Sequence, residues 1–357
     1  MTTATRLLTA PLIVGLVVAA EVRAQPSSPA WRFGADSQVG VTSRGTDPGA
    51  TGVVVDSVLA AEWGSTLQLI ARPVSRGRLQ GEWSHDFYQL GARYQPTERL
   101  PLRIEAGYAL AVIGLGVLRA RPIERDTSSL DPQYVRPLPR FEPGLPTLWA
   151  VTPSYPLVAV ASIGTPRYDV RIGVADGSPT RMRGVIRRGN PPRAPQAVIG
   201  AGLTPVTGLR AGITMVSGDY LTPAENPDPA GGGRRATLAG VELEYSFGHT
   251  AITAEWIRNT FEIPDGTAIA SSGFLRVTHA LSPRWRLSGR YDLATPPHQA
   301  RTLAPPVGSL RSVEGLVGYR LTRDLVVRGF MLVDRSFFDT AWNPRAGVTF
   351  AIARRWR

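Results

Sequence analysis

Residues 236–247 have the sequence ATLAGVELEYSF, in which apolar and polar side chains alternate almost one by one. Val241 and Leu243 fall on one side of this alternation, and Glu242 and Glu244 fall on the other. Successive side chains of a β-strand point in opposite directions, so a period of two is typical of a strand whose faces meet different surroundings. This stretch therefore predicts a strand with one apolar and one charged face.

The same alternation recurs along most of the chain. It is strong at 102–108, 168–174 and 284–293, and weaker at 67–72, 209–216, 252–259, 313–321 and 327–334, before a final strand at 345–355. Short turns alternate with long connections at 111–154, 176–195, 218–234, 264–270, 295–308 and 336–343. Outer-membrane barrels have short periplasmic turns and long outer loops, whereas a soluble sandwich gives no reason for that alternation. We predict an all-β fold, a transmembrane antiparallel β-barrel of about 16 strands, within a range of about 14 to 18.

The first residues have the pattern of an export signal. Arg6 precedes an apolar run at 7–20, and small residues occupy the cleavage positions before Gln25. We expect cleavage near Ala24 and delivery to the bacterial outer membrane. The predicted division of the chain is a signal peptide at 1–24, an N-terminal segment of unassigned structure at 25–50, and a barrel at 51–357 that contains the long loop 111–154.

The absence of Cys limits the interactions that can stabilise the fold, and the absence of Lys has two explanations. The chain contains no Cys, so an exported protein of this length depends on one large hydrogen-bonded assembly or one large core rather than on disulfides. It also contains no Lys, and Arg alone carries the cationic charge behind a formal net charge of +12. A GC-rich genome explains this bias, and so does a lumen that favours anions, because composition does not place charges on a face.

The width of the predicted barrel points to a channel. About 16 strands enclose more space than their own side chains fill, so an aqueous passage remains unless loops enter it. The longest connection, 111–154, is the candidate to fold inward and narrow that passage; the alternative is an exposed loop that caps the barrel. Its charged residues, the candidate constriction set, are Arg119, Arg121, Glu124, Arg125, Asp126, Asp131, Arg136, Arg140 and Glu142.

The polar faces of the strands supply a second set of charges. The candidate lumen-facing residues are Arg103, Glu105, Asp169, Arg171, Arg210, Glu242, Glu244, Arg286, Arg290 and Arg328. Because both signs occur, a mixed field across the lumen is one interpretation. The other is that these side chains pair across neighbouring strands and make the wall rigid, which we favour for most individual residues.

The long loop and the hairpin after it carry a resemblance to a known family. The relevant residues are Tyr155-Pro156, the turn Gly164-Thr165-Pro166 with the strand that follows it, and Asp176-Gly177-Ser178-Pro179. Together with the architecture, this pattern resembles the general and phosphate-selective type of Gram-negative porin. The resemblance implies a trimeric channel narrowed by an inward loop. The Lys clusters associated with phosphate selection have no counterpart here, so no specific solute follows.

Signals for catalysis are weak. Ser84-His85-Asp86 contains the residue types of a catalytic triad, but adjacent residues on a strand point to opposite faces. The other histidines, His249, His279 and His298, lack the spacing of metal ligands, and the glycines at 231–233 lack the Lys-Ser/Thr of a phosphate loop. We therefore predict no enzyme, no metal, no cofactor and no nucleic-acid partner.

The leading functional hypothesis is a porin-like channel for passive diffusion of small hydrophilic solutes, with a preference for anions left open. One alternative is a barrel with a closed lumen that acts as an anchor or surface-interaction protein. A second is an outer-membrane hydrolase that uses Ser84 and His85 with a distant acidic partner. The expected partners are outer-membrane lipid, small polar solutes and two further copies of the chain in a homotrimer.

Overall fold

The architecture is described by a computed structural model that covers residues 31–44, 51–79, 81–97, 101–108, 113, 121–128, 132–152, 156–186, 189–228, 231–298 and 306–356. Sixteen strands run through these residues: β1 (Trp31–Arg44), β2 (Gly52–Trp63), β3 (Leu67–Arg78), β4 (Trp83–Tyr94), β5 (Leu102–Tyr108), β6 (Leu157–Gly164), β7 (Tyr168–Ala175), β8 (Gln196–Val206), β9 (Leu209–Leu221), β10 (Arg234–Phe247), β11 (Thr250–Ile263), β12 (Gly266–Ala280), β13 (Trp285–His298), β14 (Leu310–Thr322), β15 (Leu325–Arg335) and β16 (Asn343–Trp356). A four-residue helix, α1 (Pro132–Val135), and a 3₁₀ turn (Pro223–Glu225) interrupt the loops.

The strands form one closed antiparallel barrel. Each strand pairs with its neighbours in sequence, and β16 closes the ring on β1 with Ile352 opposite Val39. Closure leaves no strand edge unpaired, which is what a sheet in lipid requires. The predicted fold and strand number are confirmed. The ring also includes β1, which lies in the segment 25–50 left unassigned from the sequence, so the barrel begins before residue 51.

The connections divide between the two ends of the barrel. Short turns such as 207–208, 248–249 and 323–324 lie at the same end as the start of β1 and the end of β16, and most long loops lie at the other end. The prediction of a long loop at 264–270 was wrong, because β12 begins at Gly266 after a two-residue turn. Pro264, Asp265 and Gly266 suggested the loop, but Ala268 and Ala270 after them are fully buried on the inner face. They are small because another segment packs against them.

The outer face of the barrel is apolar. In β7, Val170, Ile172 and Val174 are exposed, while Asp169 and Arg171 between them are partly shielded on the inner face. Ile172 has 61% of its surface exposed. Exposure of so large an apolar side chain is unfavourable in water and favourable against the hydrocarbon of a membrane. Within the described residues, no helix is both long and apolar enough to span a membrane.

Aromatic rings gather near the short-turn end of the outer face. The rings of Trp31 and Trp63 lie 5.3 Å apart, and those of Trp285 and Tyr319 lie 4.6 Å apart. Such amphipathic rings prefer the boundary between lipid tails and head groups. They mark the lower edge of the apolar band.

Candidate functional site

The loop between β5 and β6, whose described residues include 121–128 and 132–152, lies inside the barrel. Tyr134 donates from its hydroxyl to both carboxylate oxygens of Glu255, at 2.9 and 2.7 Å. The backbone N–H of Ser128 donates to Glu314, and Arg328 donates to the carbonyl of Ile123. Glu255, Glu314 and Arg328 are all on the inner faces of their strands. The loop therefore folds inward, the first of the two arrangements considered from the sequence.

The first part of this loop reaches deep into the barrel. Asp126 accepts a hydrogen bond of 2.6 Å from Arg286, which lies beside the first residue of β13 at the short-turn end. Gln38, in the middle of β1, is fully buried and accepts a bond of 2.9 Å from the N–H of Ile123. Residues 121–128 thus lie well below the mouth formed by the long loops.

Ion pairs attach the loop to the wall on several sides. Arg121 lies 3.0 Å from Asp36 and 3.7 Å from Asp56, on β1 and β2. Arg136 lies 2.9 Å from Asp334 on β15, and Glu142 pairs with Arg234 on β10. The pairs of Arg121 and of Glu142 are largely shielded from water, whereas Arg136 is exposed. Shielded pairs hold position better than exposed ones, because salt screens them less.

The candidate constriction residues therefore divide into groups. The ones that anchor the loop to the wall are Arg121, Asp126, Arg136 and Glu142. Glu124 and Arg140 are exposed, whereas Arg125 is partly buried. Arg119 and Asp131 lie outside the described residues. Arg136 is exposed too, although it pairs with Asp334. The exposed members are the ones available to contact a passing solute.

Apolar packing supplements these ion pairs. Leu138, Phe141 and Leu148 of the loop form one buried cluster with wall residues that include Phe261 on β11. Tyr134 forms a second cluster with wall residues of β6 to β12, and its ring is fully buried. Burying one such side chain contributes roughly 1.5–3 kcal/mol, so the loop is a packed element of the barrel interior.

The wall formed by β7, β9 and β10 carries a network of paired charges. Arg210 makes two bonds to Asp169, at 2.9 and 3.0 Å, and a third to Glu242 at 3.0 Å. Arg171 bonds the other oxygen of Glu242 at 3.0 Å, and Glu244 lies 3.8 Å from Arg210. The structure thus brings five of the candidate lumen residues together on the inner face.

Glycines hold this network flat against the wall. Gly200 and Gly202 occupy inner positions of β8, where an added Cβ would collide with Arg171 and with the Asp169–Arg210 pair. Gly212 on β9 would place a Cβ 3.3 Å from Arg210. Because these positions lack side chains, the guanidinium groups of Arg171 and Arg210 lie close against the wall.

A second polar cluster lies on β3, β4 and β5. Arg93 donates to Gln68 at 2.9 Å and lies 3.4 Å from Glu105, which also accepts a bond from Gln89. Arg103 shares the inner face of β5 with Glu105 and is exposed. Two partners therefore already engage Glu105, and Arg103 presents its charge to the space inside the barrel.

The remaining candidates lie under the loop. Arg290 is buried and lies 2.8 Å from Glu314 and 3.0 Å from Asp292. Arg286 and Arg328 bond the loop itself, as described above. Arg290 thus pairs with Glu314 on the neighbouring strand, the kind of pairing that we favoured from the sequence. Arg286 and Arg328 instead hold the loop.

The residues of the candidate triad have other roles. Ser84 donates to the backbone of Arg76 on the inner face of β4. His85 points outward, where its Nδ1 lies 2.8 Å from the hydroxyl of Ser75. Asp86 accepts bonds from the backbone N–H groups of Val185 and Ile186, at 2.8 and 3.1 Å. This carboxylate therefore fastens the loop between β7 and β8 to the barrel mouth.

The same outer loop is joined to the next one along the mouth. Arg181 lies 2.9 Å from Glu225, in the connection between β9 and β10. Burial alone would raise the pKa of Glu225, but the hydrogen bonds from Arg181 and Thr222 outweigh it and hold that pKa below its usual range. The mouth is thus bordered by loops that are tied to each other.

Some residues of the site were missed by sequence reasoning. Asp36 and Asp56, which bind Arg121, lie in the N-terminal region whose strand pattern was ambiguous. Tyr134 has no periodic neighbours, because α1 is only one turn long. Arg93 could have been identified from the sequence, because it stands between Ala92 and Tyr94 in an alternating pattern near the end of β4.

Comparison with known proteins identifies the architecture. No protein-family profile and no curated protein sequence matches the chain. Among solved structures, an anion-selective porin from Comamonas acidovorans is 8% identical, with 92% of this chain and 99% of that chain covered and a TM-score of 0.57. The in-vitro folded outer membrane protein OmpT of Vibrio cholerae, in a trimer form, is 9% identical, with 92% and 100% covered and a TM-score of 0.55. The outer membrane channel DcaP of Acinetobacter baumannii is 7% identical, with 93% and 99% covered and a TM-score of 0.55. At these identities the likeness establishes the fold alone, and that fold is the one of bacterial outer-membrane porins and channels.

Proposed function

We propose that this protein is an outer-membrane channel for passive diffusion of small hydrophilic solutes and that it favours anions. The observation that carries the proposal is the loop between β5 and β6, which is anchored inside the barrel by hydrogen bonds, ion pairs and apolar packing, together with a wall at β7, β9 and β10 whose charged side chains pair with one another beside glycines. We infer that this loop narrows the lumen without closing it. Porins and channels among the structures of the same fold support this interpretation.

The preference for anions rests on the distribution of charge along the passage. Asp169, Glu242 and Glu105 each lie within ion-pair distance of an arginine. Arg103 is exposed on the inner face beside Glu105, which other groups already engage. Arg93 and Arg103 share the attraction of this one carboxylate. Cationic charge that is not fully balanced raises the local concentration of anions in a narrow passage. The formal net charge of +12, which becomes +11 when Arg6, Glu21 and Arg23 leave with the signal peptide, acts in the same direction over a longer range.

The inward loop forms the constriction in this proposal. Glu124 and Arg140 of the loop have exposed side chains, and Arg171 and Arg210 of the wall are paired with acidic side chains. Loop and wall thus carry charges of both signs, and fixed charges around a narrow passage order water and select against large apolar solutes.

Several copies of the chain assemble side by side in this proposal, as the trimer form of one structural neighbour does. The face that suits such an assembly is formed by β1 and β2, because Ser37 and Ser57 face outward there and share a hydrogen bond of 2.8 Å. Two hydroxyl groups at mid-height fit a protein-covered face better than bare lipid. In this proposal the signal peptide at 1–24 directs export of the chain to the outer membrane and is cleaved near Ala24.

Liposome swelling tests the proposal. Vesicles that contain the refolded full chain should swell in isotonic solutions of small neutral sugars, with rates that fall as the sugar becomes larger. Glu124→Trp, on the exposed side of the loop, should slow swelling, while Phe33→Trp on the lipid-facing side of β1 should leave it unchanged. A folded, inserted barrel without swelling would contradict the channel and favour the closed-lumen anchor.

A further inference from the structure

Two arginines lie directly opposite each other on the outer face of the barrel. Arg311 of β14 and Arg335 of β15 are cross-strand partners, and the other cross-strand partner of Arg311 is the apolar Leu293. Their sequence neighbours Ser312 and Asp334 are buried on the inner face, which places the two arginines outside. Like charges in direct opposition destabilise a strand pair. An anion between them would convert that repulsion into attraction.

The position of this pair corresponds to the lipid head groups. Arg311 and Arg335 lie at the ends of their strands on the side of the long loops, next to the outer edge of the apolar band. The guanidinium of Arg335 lies 5.9 Å from the ring of Trp342, an exposed tryptophan in the following loop. Tryptophan and arginine together are typical of the boundary between lipid and water. Because long loops face outward, this boundary belongs to the external leaflet.

A groove in the outer surface lies below the arginine pair. Its volume is about 850 Å³, and its lining includes Leu287, Gly315, Val317, Gly329 and Met331. A Cβ added at Gly315 or Gly329 would meet nothing within 4 Å. Gly315 lies four residues along β14 from Arg311, a distance of about 13 Å at the rise of a strand. An acyl chain attached to a head group at the arginine pair would reach this groove.

We propose that the outer face of β13 to β16 binds a phosphorylated, acylated lipid of the external leaflet. Its phosphate lies between Arg311 and Arg335, and one acyl chain lies in the groove at Gly315 and Gly329. Arginine suits this head group, because its planar guanidinium gives two parallel hydrogen bonds to phosphate oxygens. The site lies outside the lumen and does not depend on the proposed channel.

Native mass spectrometry of the full chain in detergent micelles tests this site. The probes are diphosphoryl lipid A and its dephosphorylated counterpart with the same acyl chains. The protein should retain the phosphorylated lipid, and Arg311→Gln with Arg335→Gln should weaken retention by about tenfold or more. Arg258→Gln is the matched control, because Arg258 is also exposed on the outer face but lies opposite Ala239 and Ser271. This control should change retention by less than about twofold.

A second variant tests the groove. Gly315→Leu places a side chain into open space, so the barrel should fold normally, as judged by its heat-modifiable mobility on gels. Retention of the phosphorylated lipid should fall severalfold, while inorganic phosphate alone should compete only weakly. Equal retention of both lipids, an equal loss in Arg258→Gln, unchanged retention in Gly315→Leu or strong competition by inorganic phosphate would each overturn the proposal.

Discussion

The bond between Tyr134 and Glu255 should control how firmly the inward loop is held. The Tyr134 ring is fully buried, and its hydroxyl donates to both oxygens of a carboxylate that is itself buried in the wall. Tyr134→Phe keeps the ring in its apolar cluster and removes only the donor. A hydrogen bond to a charged group contributes about 1.5–3 kcal/mol. The equilibrium for local opening of the loop should therefore shift by about ten- to hundredfold.

Hydrogen exchange of the loop amides measures this shift. The N–H of Trp149 donates to the carbonyl of Thr180 at 3.0 Å, and the N–H of Leu138 donates to that of Leu148 at 2.7 Å, so opening of the loop exposes both. Exchange at these amides should become about ten- to hundredfold faster in Tyr134→Phe, because it reports local opening.

The matched control is Ser217→Ala. Ser217 faces outward on β9, next to the buried inner residue Val216, and its hydroxyl shares a hydrogen bond of 3.1 Å with that of Thr237 on β10. Loss of that bond should cost about 0.5–1.5 kcal/mol and should act on the wall rather than on the loop. If Tyr134→Phe left loop exchange at the wild-type rate, or if both variants accelerated it equally, the anchoring role of the Tyr134–Glu255 bond would be refuted.

Three further predictions concern the wall and the mouth. Arg103→Gln should lower the anion-to-cation permeability ratio by about two- to threefold at 0.1 M salt and have little effect at 1 M, where the Debye length is about 3 Å. Gly202→Val should destabilise the barrel to urea by about 1–3 kcal/mol through collision with the charge network, whereas Gly289→Val, which points into open space, should change stability by less than about 0.5 kcal/mol. The pair of Glu225 with Arg181 should protect loop amides at neutral pH and lose that effect as the pH falls through the lowered pKa of Glu225, a dependence that Glu225→Gln should abolish.

Each of these predictions has an outcome that would contradict it. A permeability ratio in Arg103→Gln that equals the wild-type ratio at low salt would remove this residue from the passage. Equal stability of the Gly202 and Gly289 variants would show that the charge network is not pressed against the wall. Loop exchange with the same pH profile in Glu225→Gln would assign the pH dependence to other groups.

The barrel itself was predictable because its cause is local. Apolar and charged residues alternate at Val241, Glu242 and Leu243 because one face of the strand contacts lipid and the other does not. Turn residues such as Gly248 and Pro283 then mark where each strand ends. The error at 264–270 arose because Pro264, Asp265 and Gly266 mark only a two-residue turn and the start of β12. Ala268 and Ala270 already lie on the inner face, where they contact a distant segment.

The interior of the barrel was less predictable, because its contacts join distant parts of the chain. Arg136 and Asp334 form an ion pair although 198 positions separate them in the sequence. Period-two alternation assigns Asp334 to the inner face, but it does not indicate which loop residue meets it there. The charged residues of the loop and wall were therefore identifiable as sets, while their division into anchors and exposed groups required the three-dimensional structure.

Single-channel conductance across a planar bilayer under a salt gradient tests the central claim most directly. The refolded chain should give stable ohmic current steps, and the reversal potential should show a preference for anions at low salt. This result would establish an open passage and an excess of cationic charge along it. A barrel shown to be folded and inserted that carries no current would contradict the channel and leave the closed-lumen anchor as the better account.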